Sequence, residues 1–355
     1  MLLPYLYKID LNRRYSNHGP LVIEFQKRLA ALFGLPQGQV VSASSGTAAL
    51  EAAILAVAGK ARAERPYALC PSYTFVATGL AIERCGYIPY FVDIDPITLQ
   101  LEPAQLERHA LLSKTGVVVT VGAYGMAPQV VPWEQFQANT GVPVVVDGAA
   151  CVEALSRAPS ESLSAIPLVL SLHATKPLST GEGGAVVTRS SEVAQKCAQH
   201  LNFGFGLGRE CEAAGFNGKM SEYNAAVGLA SLDLWKSTIE NSARVVASYN
   251  DHFRAEGLAS LLRTAPRIAS SYFLIDAGSR AVALRQKLER ERIESRLWYG
   301  LGLHRYRYFE TLRRDELPIT DAIAPVMVGL PTAPDFSSQD IAHVVRSVSS
   351  VFGVV

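Results

Sequence analysis

Seven short apolar runs, set apart by stretches with helical spacing, constrain this chain more than any other feature. They fall at residues 40–44, 67–70, 90–93, 117–121, 142–147, 168–172 and 185–188. Most are apolar at consecutive positions rather than alternate ones, the pattern of strands covered on both faces. Helical stretches lie between several of them, for example at residues 74–85 and 106–112. Together these predict an α/β fold, with a mainly parallel central sheet between helices. In such sheets ligands sit beyond the carboxyl ends of the strands. Ser44 to Thr47, Ser72 to Phe75, Asp147 and Ser171 to Lys176 all fall there.

With 355 residues the chain has room for one large domain and a smaller one. Residues 1–20 read as an irregular arm closed by Pro20. Residues 21–33 read as an amphipathic helix, with Leu21, Phe25, Leu29 and Leu32 at helical spacing and Gly34 at its end. Residues 192–201 are a further helix. Ser221 is placed to cap another running to about Trp235, and a long helix follows over 238–256. The pattern then changes. Residues 272–276 read as a strand, 280–292 as a charged, solvated helix and 337–351 as a last amphipathic helix. The expected division is a large domain over 1–236, including the arm 1–20, and a smaller α+β C-terminal domain over 237–355.

Composition excludes several roles. Apolar residues make up 49% and charged residues 18%, enough for a large core and an oligomer interface. Lys and Arg number 33 against 32 Asp and Glu, which gives no electrostatic case for nucleic acid or an anionic membrane as partner. No uninterrupted apolar run approaches the roughly 18 residues of a membrane span, and the first residues do not resemble a signal peptide. The five cysteines show no metal-binding spacing. An odd, scattered set fits a reducing cytoplasm, with neither disulfides nor a metal site expected.

Chemistry concentrates around Lys176. It lies in a polar loop between the apolar runs 168–172 and 185–188, and Gly181, Gly183 and Gly184 turn the chain back. Taken alone, a lysine in a glycine-rich loop is most simply a solvated side chain. Between buried strands, however, an amine loses its proton more easily. It can then attack a carbonyl to form a Schiff base, as in pyridoxal phosphate (PLP) enzymes. The helix that begins after Ser45-Gly-Thr47 offers free N–H groups and the positive end of its dipole to an anion. An ordinary Ser/Thr cap gives the same pattern. Asp147 ends the strongest strand, either as a turn or cap residue or as the partner of a protonated ring nitrogen. Phe75 is either a core aromatic or a ring that stacks on a flat ligand.

Six segments, in order, resemble the DegT/StrS-type sugar-nucleotide aminotransferases. They are Tyr15-Ser-Asn-His-Gly-Pro20, Ser45-Gly-Thr-Ala-Ala-Leu50, Pro71-Ser-Tyr-Thr-Phe-Val-Ala-Thr78 with Gly86-Tyr-Ile-Pro-Tyr-Phe-Val-Asp93, Asp147-Gly-Ala-Ala150, Ser171-Leu-His-Ala-Thr-Lys-Pro177 with Gly181-Glu-Gly-Gly184, and Gly215-Phe-Asn-Gly-Lys-Met-Ser-Glu222. The resemblance implies PLP-dependent transferase fold type I, with pyridoxamine phosphate as an intermediate. It implies that Lys176 forms the Schiff base and moves protons, Asp147 pairs with the ring nitrogen and Phe75 stacks on the ring. Gly46, Thr47 and Ser171 would hold the phosphate. Asn217 would reach the phosphate from the other subunit of a homodimer. Tyr15 and His304 would lie near substrate, although His304 is equally readable as a packed histidine.

Three features depart from the pattern. Ala150 stands where the family usually has Gln, Val152-Glu153 alters the small residues that follow, and Lys219 replaces an Arg. The expected activity is transfer of an amino group from an amino acid, foremost L-glutamate, to a keto sugar linked to a nucleotide. Two rivals stand beside it. A PLP-dependent sugar dehydratase would carry His in place of Lys176, and a regulatory or scaffold protein of the same fold would not need the Lys176/Asp147 pair.

Overall fold

The computed structural model describes residues 1–263 and 272–353. The chain opens with a helix, α1 (Leu3–Asn12), in a segment expected to be irregular. Pro4 sits in its first turn, where a fixed φ favours helix and no N–H is missed. Its contacts are tertiary ones that periodicity does not reveal: Ile9 is fully buried, and the Tyr5 hydroxyl donates to the Asp233 carboxylate. The opposite stripe of Leu3, Tyr7 and Leu11 is exposed.

Helix α2 (Pro20–Leu32) buries Leu21, Phe25 and Leu29 as expected. It is followed by β1 (Val40–Ala43), α3 (Gly46–Ala58), β2 (Tyr67–Pro71), α4 (Val76–Arg84) and β3 (Ile88–Val92). Then come β4 (Thr115–Val121), β5 (Val144–Asp147), β6 (Leu168–Ser171) and β7 (Gly184–Val187). These form one seven-stranded sheet in the order β1-β7-β6-β5-β4-β2-β3. Strands β3, β2, β4, β5 and β6 are parallel, while β7 runs antiparallel to both β6 and β1. The sheet is covered on both faces. One core includes Phe25, Leu69, Val118, Trp133 and Leu170; the other includes Ala52, Ile54, Cys70, Val119 and Val169.

The expected helix at 106–112 is absent. A four-residue turn, Pro103–Leu106, and a 3-10 turn, Leu112–Lys114, stand there instead. His109 gives the reason. Its Nδ1 accepts the Leu111 N–H, a donor a continuing helix would use, while its Nε2 pairs with Asp315 and holds the ring in that place.

Helices Glu222–Asp233 and Trp235–Ala255 lead out of the large sheet. A second, two-stranded antiparallel sheet pairs β8 (Tyr272–Asp276) with β9 (Met327–Pro331). Helices Ala281–Arg290 and Ser338–Phe352 cover it, and its core is built on Tyr249, Phe253, Phe273 and Val345. The last helix starts at a capping box made by Ser337 and Asp340. The C-terminal part does not stay apart from the large sheet, because Leu303, Phe309 and Leu317 join the core beside α3 and α4.

Candidate active site

The predicted polar residues converge at the carboxyl end of the parallel strands. At one corner α3 starts against the end of β6. A Cβ added to Gly46 would lie 3.1 Å from Ser171 Cβ, so only glycine permits this approach without displacement. Ser45 caps the helix, its Oγ accepting the Ala48 N–H at 3.0 Å. Among the described residues nothing accepts the N–H of Gly46 or Thr47, which leaves two donors at the positive end of the helix dipole. The Ser171 N–H donates to the Ala149 carbonyl at 3.3 Å, tying this corner to the turn after Asp147.

Asp147 is buried, 7% exposed. Its Oδ2 accepts the Thr78 hydroxyl at 2.7 Å and its Oδ1 accepts the Ala149 N–H at 3.2 Å. Since Thr78 donates to Asp147, Thr74, 2.8 Å from the Thr78 oxygen, donates to Thr78. Burial raises the Asp147 carboxyl pKa, opposed by these two hydrogen bonds and by the charge of Lys176. A carboxylate held this way lacks a full positive counterpart, and a protonated ring nitrogen would provide one.

Lys176 lies on the loop between β6 and β7. The loop base is pinned on both sides, with Thr180 N–H donating to Leu172 O at 2.8 Å and Leu172 N–H to Gly183 O at 2.9 Å. Burial lowers the Lys176 amine pKa, and the charge of Asp147 opposes that shift. Phe75, half exposed at the start of α4, is not a core aromatic. It stacks on Trp298.

The remaining candidates fall into place differently. Asn217 is exposed, with its Oδ1 accepting from Lys219 Nζ at 2.8 Å. The adjacent Gly218 carbonyl accepts the Ser44 N–H at 2.7 Å, which sets Asn217 near the α3 corner. Tyr15 is also exposed and stacks on Tyr223 at a centroid distance of 6.3 Å. His304 is a packed histidine. It is 5% exposed, with Nδ1 2.7 Å from Ser72 Oγ and Nε2 2.9 Å from Asp321. Both ring nitrogens are therefore committed. Ala150 follows Asp147 in a turn and brings no polar group.

Sequence reasoning did not single out Thr78, Trp298 or the buried tyrosines Tyr73, Tyr124 and Tyr299. The Tyr73 and Tyr124 hydroxyls are 2.7 Å apart, and Tyr299 Oη accepts the Tyr124 N–H at 3.2 Å. The aromatic density of 295–308 was the available signal for Trp298 and Tyr299. Among the described residues no cluster of His, Cys, Asp or Glu could hold a metal ion, and no helix is long and apolar enough to cross a membrane. All five cysteines are free thiols.

Residues 4–349 match the DegT/DnrJ/EryC1/StrS aminotransferase family. The chain belongs to that family. Its relatives in the DegT/DnrJ/EryC1/StrS group include the dTDP-4-amino-4,6-dideoxy-D-glucose transaminase of Shigella dysenteriae, 29% identical over 275 residues, 77% of this chain and 73% of that protein. Among solved structures it is similar to a Bacillus cereus protein assigned as a PLP-dependent aminotransferase, with TM-score 0.88 and 29% identity, covering 98% of this chain and 95% of the other. It is also similar to DesI crystallised in the presence of its TDP-sugar product, with TM-score 0.86 and 28% identity over 98% of this chain and 89% of that one. The α/β fold with its mostly parallel sheet is the PLP-dependent aminotransferase fold.

Proposed function

We propose that this protein is a PLP-dependent aminotransferase that moves an amino group from an amino acid, L-glutamate foremost, to the keto group of a nucleotide-linked sugar. The observation that carries the reading is the placement of Asp147, buried and held by Thr78 and the Ala149 N–H at its strand end, beside the loop that carries the half-buried Lys176, whose amine burial eases toward its neutral form. The residues present fit the cofactor. A flat pyridine needs an acid partner at its nitrogen, an amine at its aldehyde and donors at its phosphate, and Asp147, Lys176 and the Gly46–Thr47–Ser171 corner provide these in turn. Bound PLP supplies an electron-withdrawing ring that stabilises charge on the reacting carbon.

The chain's own residues do the rest. Thr78 and the Ala149 N–H fix the Asp147 carboxylate, which would hold the protonated ring nitrogen. Lys176, eased toward its neutral form by burial, takes a proton from one carbon and returns it to another. Phe75 supplies a face for the ring. Asn217, exposed beside the α3 corner, serves the phosphate of a second copy, which makes the working form a homodimer. The relatives named for amino-sugar synthesis support a nucleotide-sugar acceptor, and a lysine at 176 supports transamination over dehydration.

The test is a visible absorption spectrum of the purified protein before and after L-glutamate, beside Lys176→Ala. We expect a yellow band that glutamate bleaches in the native protein and not in the variant. No band even after soaking in PLP would sink the reading. A band that glutamate leaves untouched would remove glutamate as donor.

A further inference from the structure

Trp298 differs from the other two tryptophans of the chain. Trp133 and Trp235 are core residues, 2% and 8% exposed, whereas Trp298 is half-buried. Its indole reaches the reacting amine, with Lys176 Nζ over the ring at 4.7 Å from the centroid. It also faces Phe75, with centroids 6.0 Å apart and planes at 22°. Tyr272 of β8 packs on it at 5.1 Å, and it rests against the core of Tyr73, Tyr124 and Tyr299. The backbone that carries it is fixed. Arg296 exchanges two hydrogen bonds with Gly329 of β9, at 3.0 and 2.8 Å. Trp298 thus brings an aromatic face from the small sheet to the lysine of the large one.

We propose that Trp298 is a specificity-determining residue of this site, whose indole face stacks on the ring of the acceptor sugar and sets its keto carbon against Lys176. The inference rests on the aminotransferase reading above. Two substrates must use the same amine in turn, and their chemistry separates them. An amino-acid donor brings carboxylates, which the negative face of an indole does not attract. A sugar ring is neutral there and presents C–H bonds that pack on an aromatic face. The cation over the indole marks the same face. While Lys176 is charged, the ring quadrupole attracts it. When the amine gives up its charge that attraction is lost, and the amine no longer competes electrostatically for the face.

The experiment uses the holoenzyme and Trp298→Ala and Trp298→Phe. Each is titrated by calorimetry with dTDP-glucose, UDP-N-acetylglucosamine and GDP-mannose, probes that carry no ketone and are not turned over. Indole fluorescence is followed in parallel, and the rate at which L-glutamate bleaches the visible band is measured separately. We expect the Ala variant to bind the best probe about tenfold more weakly and the Phe variant to recover most of the loss. The probe-induced fluorescence change of the native protein should vanish in the Phe variant. Bleaching by glutamate should fall less than probe affinity does in the Ala variant, because loss of the indole's contact with Lys176 affects both half-reactions while loss of its contact with the sugar affects only one. Unchanged probe affinity in the Ala variant overturns the assignment. So does a bleaching rate that falls as far as the affinity, which would make Trp298 a positioning residue for Lys176. A native protein that shows no visible band and binds none of the probes overturns the aminotransferase reading itself, whereas native behaviour beside an unaffected variant overturns only the role of Trp298.

Discussion

His304 is held in a place that suits its neutral form. Burial pushes its pKa down, and the charges of Arg305 and Arg314 add to that; the hydrogen bond to Asp321 pulls the other way without reversing it. Near and below the ordinary histidine value the unfolded chain therefore binds more protons here than the folded one, so stability falls as pH falls through that window. His18, lowered by its burial and by Lys219, adds a contribution of the same sign. Urea unfolding at about pH 7.5 and about pH 5.5 should show a smaller loss in His304→Asn than in the native protein. An equal loss in both would place the pH dependence elsewhere. How much was legible at this scale depended on distance along the chain. Lys176 and Asp147 were readable because the strands that position them are written beside them. Thr78 reaches Asp147 across 69 residues, and Ser72 reaches His304 across 232. No local pattern encodes such contacts, so the partners of Asp147 went unnamed and His304 stayed open between two readings.

Elements were recovered where the chain's own periodicity decided them. The seven strands of the large sheet, α2, α3 and the final helix all lie close to their expected positions. Helix α1 was missed because its apolar residues lie on two stripes, one of them facing solvent. Strand β9 was not named at all, because it is a five-residue run between loops whose pairing with β8 is purely tertiary. The start of α2 shows how far apart a cap and its helix can lie. The carboxylate of Glu222, fully buried, accepts the Leu21 and Val22 N–H groups, each at 2.8 Å. It does for α2 what a local Asp or Ser does for most helices. Gly19 makes room, since a Cβ there would fall 2.6 Å from Glu222 Cδ. Two buried hydrogen bonds to a charged group suggest that Glu222→Ala costs about 2–4 kcal/mol, read as a lower urea midpoint with unchanged slope. Gly19→Ala should lose stability by the same test through overcrowding. A midpoint unmoved in both would remove the cap from the account of α2.

At the scale of the whole molecule, the exposed row on α1 is the feature that the monomer leaves unexplained. Leu3, Tyr7 and Leu11 are 77%, 64% and 65% exposed, on a helix anchored from its other side. With the shared site proposed above, we expect sedimentation at twice the 38.3 kDa chain mass. Replacing Leu3 and Leu11 together by Glu should shift the protein toward monomer. Monomer in the native protein would refute both the interface and the role given to Asn217. The reversed strand β7 has a different kind of consequence. In the sheet order, β1 neighbours β7 alone, and Val40 pairs with Val187. During synthesis the first strand must therefore wait until the seventh has left the ribosome. Loop closure over such a span is slow, and an unpaired apolar edge invites aggregation meanwhile. The corner made by Gly46 and Ser171 is then among the last parts of the sheet to assemble, so a fragment ending before β7 would keep most of its parallel strands and lose the corner proposed above to hold the phosphate.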